Sequence, residues 1–187
     1  MVWTWDSDRV ENETMSTSNV VHLLQARMEK LSQSYQLLLQ YIACLGSTFP
    51  INTVDIIWNQ HARKNSGRLK AQDVSSMLAV LAEKDFIEQC GQTSYRWVHD
   101  RVQEAALMLD DARGSAFQYE VGLVLYECLD GEELDENVFA VANLINKGKV
   151  QKADFAALNL HAAEKAQSIA AFHSAVSCCY SGCFASR

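Results

Sequence analysis

The stretch Tyr95-Arg96-Trp97-Val98-His99-Asp100-Arg101-Val102-Gln103-Glu104-Ala105-Ala106 constrains this chain most, because its side-chain period changes midway. Tyr95 and Trp97 fall on one side and Arg96 and Val98 on the other, the alternation of a half-buried strand. From Val102 the period lengthens: Val102, Ala105, Ala106 and Leu109 recur at i, i+3, i+4 and i+7, one face of a helix. A strand that enters a helix without a loop must turn within a residue or two, here His99 and Asp100. The pattern predicts Asp100 as the helix cap, its carboxylate complementing the positive helix end. An imidazole at such a corner stands where a phosphate can be sensed.

Upstream, Ser16-Thr17-Ser18-Asn19 offers N-cap candidates for an amphipathic helix of about three turns on Val20, Leu24, Met28 and Leu31. Trp3-Thr4-Trp5-Asp6 alternates like a single strand that needs a partner, and none precedes it. That suggests a folding unit beginning before Met1. From Gln33 to Leu45, Tyr35, Leu38, Leu39, Ile42 and Leu45 form one stripe and Leu37, Tyr41 and Cys44 another, so this helix is expected to be central and buried, with Gly46 ending it. Phe49-Pro50 predicts an extended approach to a helix from Asn52 to about Ala62, with Val54, Ile57 and Trp58 inward.

Residues 61–70 read as a polar, basic loop carrying Arg63, Lys64, Arg68 and Lys70, the sole electrostatic footing for nucleic acid. Val74, Met77, Leu78 and Leu81 then set a helix from roughly Ala71 to Asp85. The segments 86–90 and 95–98 flank Gly91-Gln92-Thr93-Ser94 as a hairpin. Three helices followed by a two-stranded wing is the winged-helix order. Beyond the junction only helices are expected: one on Phe117, Val121, Val124, Leu125 and Cys128, broken by Gly131, and one on Val138, Val141, Ala142 and Ile145, stopping at Lys147-Gly148 with a cation in its last turn. The alanine-rich run from Ala153 to Ala175 suits closely approaching helices, as in stacked hairpin repeats, although too little chain follows to complete such a solenoid.

The formal charge of -7 disfavours a general nucleic-acid binder. No apolar run approaches the roughly 20 residues that span a bilayer, and Asp6, Asp8 and Arg9 stand where a signal peptide needs an apolar block, so a cytoplasmic setting is expected. Cys44, Cys90 and Cys128, apart and among apolar neighbours, read as small buried residues. His173, Cys178, Cys179 and Cys183 are the densest ligand-like group, yet adjacent cysteines on a helix diverge by about 100° and do not converge on one metal. His22, His61, His161 and His173 have no partner at useful spacing and read as surface or boundary residues. No GxxxxGK[ST] loop and no GxSxG elbow is present, so no catalytic constellation is expected in this chain.

Taken in order, Trp3-Thr4-Trp5-Asp6, Asn19-Val20-Val21, Met28-Glu29-Lys30-Leu31, residues 43–49, residues 98–106 and Leu134-Asp135-Glu136-Asn137-Val138-Phe139 resemble the predicted-ATPase region of large signalling proteins. There an AAA-like signal-transduction ATPase of the STAND class lies beside serine/threonine-kinase-like or histidine-kinase domains. The likeness runs from Trp3 to about Gly182 and covers the part that follows the nucleotide-binding core. It implies a mainly α chain: a strand remnant and lid-type helix at 1–32, a winged-helix domain with a short hairpin at 33–110, and an incomplete TPR-like repeat region at 111–187. It also implies a fragment whose ATP, ADP and Mg are bound by a missing N-terminal core, with downstream signalling domains as partners. Val98-His99-Asp100 is similar to the Met-His-Asp triplet of plant immune-receptor ATPases of that class, with valine keeping the apolar role. The likeness implies that His99 faces the nucleotide diphosphate and that Asp100 orients the helix. Three alternatives stand beside it: a free-standing winged-helix DNA-binding regulator, a plain helical interaction scaffold, and a His99 satisfied by backbone at a domain corner.

Overall fold

Residues 33–44 are apolar on nearly every side, and a helix with that pattern has to be surrounded. In a computed structural model, which describes residues 20–64, 73–110, 114–148 and 153–169, they form helix α2 (Gln33–Cys44), with Leu38, Leu39, Tyr41, Ile42 and Ala43 buried. Helices α3 (Ile51–Lys64), α5 (Asp100–Leu107) and α6 (Gly114–Cys128) pack against it, as expected of a central element. Leu45 closes α2 by donating its N–H to the Ile42 carbonyl at 3.1 Å, and Gly46 turns the chain away at a φ of +108°, open to glycine at little cost.

Helix α1 spans residues 20–28 and lies on the same core through Val21 and Met28. Its rotation is fixed from two sides. Gln25 Nε2 donates to the Met108 carbonyl at 3.0 Å, while Arg27 Nη2 donates to the Lys84 carbonyl at 3.1 Å with its guanidinium 5.1 Å from the centre of the Phe86 ring. The expected face holds at Leu24, Met28 and Leu31, which lie on the core, and is corrected at its start: Val21 faces inward, Val20 is 46% exposed, and Leu31 lies beyond the helix.

Strands β1 (Thr48–Pro50), β2 (Ile87–Gln89) and β3 (Ser94–Trp97) form one antiparallel sheet in the order β1-β3-β2. The β2–β3 hairpin follows the alternation in the sequence, with Ile87 opposite Trp97 and Gln89 opposite Tyr95. The segment around Phe49 is more than an extended approach: it is a third strand, with Phe49 opposite Tyr95. Pro50 is accommodated because β1 is an edge strand that ends there. Phe49, Ile87, Tyr95 and Trp97 are buried on the inner face. Outside, Arg96 pairs with Glu88 across the hairpin at 2.7 Å.

Helix α4 (Val74–Glu83) buries Val74, Met77, Leu78 and Leu81 as their spacing predicts. Asp73 caps it, accepting from Ser76 N at 3.0 Å and Ser76 Oγ at 2.7 Å, and these hydrogen bonds hold its carboxyl below the usual range. At the other end Phe86 N donates to Leu81 O and Asp85 N to Ala82 O, a Schellman closure in which Asp85 takes the left-handed φ of +59° usually left to glycine.

Helices α6, α7 (Gly131–Ile145) and α8 (Ala153–Ser168) follow in succession, α7 packed between the other two. Gly122 lets α6 and α7 approach closely: a Cβ there would lie 2.8 Å from Leu144 Cβ and 2.9 Å from Ile145 N. Val138, Val141, Ala142 and Ile145 are buried, and Ala162, Ala163 and Ala166 of α8 close the layer. Asn146 and buried Asn159 exchange amide hydrogen bonds at 2.8 and 3.1 Å between the end of α7 and α8, and Asn159 also donates to Phe155 O at 2.8 Å. Three local expectations are corrected. Gly131 opens α7 instead of breaking a helix, because Leu129 and Asp130 already make the turn. Helix α7 ends at Ile145, so no cation stands in its last turn. Cys128 is exposed at the end of α6, whereas Cys44 and Cys90 are half-buried.

Gly122→Ala has no room without moving backbone, and is expected to cost about 1–3 kcal/mol in urea unfolding. Asp85→Gly removes a left-handed aspartate and is expected to gain up to about 1 kcal/mol in the same measurement.

Candidate functional site

The corner after β3 is held from both sides before it turns. Trp97 N donates to Ser47 O at 3.2 Å and Val98 N to Phe86 O at 3.3 Å, while the Trp97 indole donates to Gly46 O at 3.1 Å. The chain stays extended through His99 (φ −155°, ψ 150°), and α5 begins at Asp100. The N-cap is therefore His99 and not Asp100, because the cap is the last residue outside helical geometry. His99 Nδ1 accepts from Arg101 N–H at 3.1 Å, and Asp100 Oδ1 accepts from the same N–H at 2.8 Å. The Asp100 carboxylate also touches His99 Nδ1. Asp100 keeps its expected electrostatic position in the first helical turn. Both side chains face solvent, 65% and 79% exposed, and Val98 is exposed too.

Behind the corner α5 is firmly seated. Val102, Ala105 and Ala106 are buried, and Gln103 Nε2 donates to Ala43 O of α2 at 2.9 Å. Arg101 turns sideways to Glu104 at 2.6 Å. Nε2 of His99 is thus on the ring edge away from α5, with no hydrogen-bond partner among the described residues.

The proposed basic loop is in part helix. His61, Arg63 and Lys64 form the last turn of α3, where cations suit the negative helix end, and Arg63 and Lys64 are exposed. Arg68 and Lys70 lie outside the described residues, as do Trp3 to Asp6 and His173, Cys178, Cys179 and Cys183. Helix α4, where a winged helix would read DNA, turns Ser75, Ser76, Ala79 and Glu83 to solvent, and Arg96 of the hairpin is paired with Glu88.

Two polar clusters escaped the sequence. His61 is half-buried with Nδ1 2.7 Å from the Tyr41 hydroxyl, beside Trp58 and with Phe117 of α6 stacked 5.1 Å from the Tyr41 ring. Asp135 of α7 meets His161 Nε2 and Lys165 Nζ of α8, each at 2.7 Å. These partners lie 20 to 30 residues apart on separate helices, so no local spacing announces them. Lys165 first, then His161, hydrogen-bond the Asp135 carboxyl and hold it below the usual carboxylate range. Asp55 goes the other way, raised by partial burial and then by the negative charge of Asp73. Burial pushes the Cys44 thiol up to about 12, which leaves it a poor nucleophile.

A shallow crevice between α2, α5 and α6, lined by Gln40, Cys44, Leu107, Asp110 and Phe117 among others, has room for little more than a water molecule. Among the described residues no group of three or more His, Cys, Asp or Glu side chains is arranged to hold a metal, and no helix is long and apolar enough to cross a membrane. Compared with known proteins, the chain matches no family model, no curated protein and no solved structure.

The Asp135 clip has a definite pH sign. A carboxyl depressed on folding contributes its stability above its unfolded value, about 3.9, and loses it as pH falls through the lower folded value. Asp135→Asn is therefore expected to lower the urea midpoint at pH 7, and the gap from the parent protein should close as the pH is brought below that range. A gap that persisted unchanged in acid would assign the loss to packing.

Proposed function

We propose that this chain is a non-catalytic regulatory transducer of a signal-transduction ATPase associated with a serine/threonine or histidine kinase, working in the cytoplasm. On this reading residues 33–110 are a winged-helix domain, α6 to α8 begin a TPR-like array, and a P-loop core elsewhere holds the nucleotide. The order α2-β1-α3-α4-β2-β3 and the sheet order β1-β3-β2 support the winged-helix part. The observation that carries the proposal is the His99 corner: an exposed imidazole on a pinned backbone, its Nδ1 occupied by α5 and its Nε2 turned away.

The mechanism follows from that orientation. With Nδ1 accepting a backbone N–H, the neutral ring carries its proton on Nε2 and can donate it to a phosphate oxygen. When the domain rests on an ADP-loaded core, that bond favours the docked state by its differential energy. Displacement of the corner is passed to α2 through the Gln103–Ala43 bond, and from α2 to α3 and α6 through Tyr41, His61 and Phe117. The helical layer then presents the change to downstream domains.

Isothermal titration of this chain with ADP is expected to give no saturable micromolar binding, since the phosphate cradle belongs to the core. Joined to its P-loop core, the His99→Ala protein is expected to release ADP about tenfold faster, the equivalent of one hydrogen bond of about 1.4 kcal/mol. Unchanged ADP retention would defeat the proposal.

A further inference from the structure

His99 Nδ1 has two neighbours that make opposite demands on it. The Arg101 N–H at 3.1 Å needs a lone pair there, whereas the Asp100 carboxylate beside the same atom becomes an ion-pair partner only when that atom carries a proton. One nitrogen cannot meet both. We propose that His99 is a proton-operated cap: the neutral ring binds the Arg101 amide, the imidazolium turns its bond to Asp100, and the Arg101 amide is then left to Asp100 Oδ1 alone.

The corner is built so that the exchange leaves no orphan. Asp100 Oδ1 already accepts from Arg101 N–H at 2.8 Å, so the amide keeps a partner when Nδ1 is protonated. The charged groups around the ring are few. Asp100 touches it, and the Arg101 guanidinium is drawn off to Glu104 at 2.6 Å. Among the described residues no ionisable side chain of another element lies within hydrogen-bonding distance of the ring. The proton enters from solvent at the exposed ring, and no other group need give one up.

This regulates the site proposed above, and its link to phosphate rests on that reading. An oxyanion at Nε2 favours the imidazolium, so phosphate contact on one edge of the ring promotes the exchange on the other. A signal at Nε2 thereby arrives at the backbone of α5, which the Gln103 bond ties to α2.

The test is nitrogen-detected NMR on the full chain. While the His99 ring is neutral the Nε2–H tautomer is expected, and as the pH is lowered until the ring takes up a proton the Arg101 amide should shift in step with it. His99→Asn keeps a side chain suited to the cap, and its Arg101 amide should lose that pH response while α5 persists. An Nδ1–H tautomer of the neutral ring, or an Arg101 amide that ignores protonation of the ring, would overturn the proposal. In the protein joined to its P-loop core, ADP should move the Arg101 amide toward its acid position at fixed pH, and no movement would sever the exchange from phosphate. The nucleotide reading fails separately, on unchanged ADP retention.

Discussion

Trp97 ties the sheet to the end of α2. Its ring meets Phe49 edge-on at 6.0 Å, its indole donates to Gly46 at the end of α2, its backbone N–H bonds Ser47, and it faces Ile87 across the hairpin. Each hydrogen bond adds only about 1 kcal/mol net, whereas losing a buried ring of this size costs about 3–5 kcal/mol. The ring therefore dominates and the polar ties supply direction. Together they fix the last residue of β3 against Gly46 and Ser47, just beyond α2, which leaves the chain no slack before His99. The sharp entry into α5 is a consequence of that clamp.

From the clamp outward, successive helices are joined by contacts of different physical kinds. Helix α5 is tied to α2 by Ala105, Ala106 and the Gln103 amide, and α2 meets α3 and α6 through the Tyr41 ring. At α6–α7 the missing Cβ of Gly122 brings backbones together, and α7–α8 adds two polar clips, Asn146–Asn159 and the Asp135 cluster. Close backbone approach and satisfied buried amides both resist sliding, so the helical layer moves as a unit more readily than it shears. Tyr41, His61 and Phe117 make an aromatic joint of α2 with α3 and α6, with the Tyr41 hydroxyl 2.7 Å from His61 Nδ1.

The elements readable from sequence are those whose period is long enough to repeat. Val102, Ala105 and Ala106 marked the α5 face, Tyr95 and Trp97 the β3 face, and the two stripes of α2 its burial, because each pattern samples its element several times. Three residues of β1 cannot display a period, and its pairing to Tyr95 is made by a strand 46 residues away in sequence. On α1 the spacing placed Leu24 and Met28 correctly and missed only the first turn, where Val21 and not Val20 is buried. At the candidate site the corner was legible and the cap was not: propensity favours aspartate, but the clamp at Trp97 and Val98 keeps the backbone extended one residue longer than propensity would choose.

That last discrepancy bears on why a histidine is there. Caps are normally serine, threonine, aspartate or asparagine, short side chains whose oxygens reach the free N–H groups with little loss of freedom. An imidazole is a poorer choice, and here a redundant one, because Asp100 Oδ1 already accepts the amide that Nδ1 accepts. Folding of α5 has no need of the ring, which is exposed and buries no apolar surface of consequence. What the ring adds is a second, outward nitrogen whose protonation depends on what the first one is bonded to. On the nucleotide-sensing reading proposed above, that outward nitrogen is what a firmly held backbone presents to the phosphate.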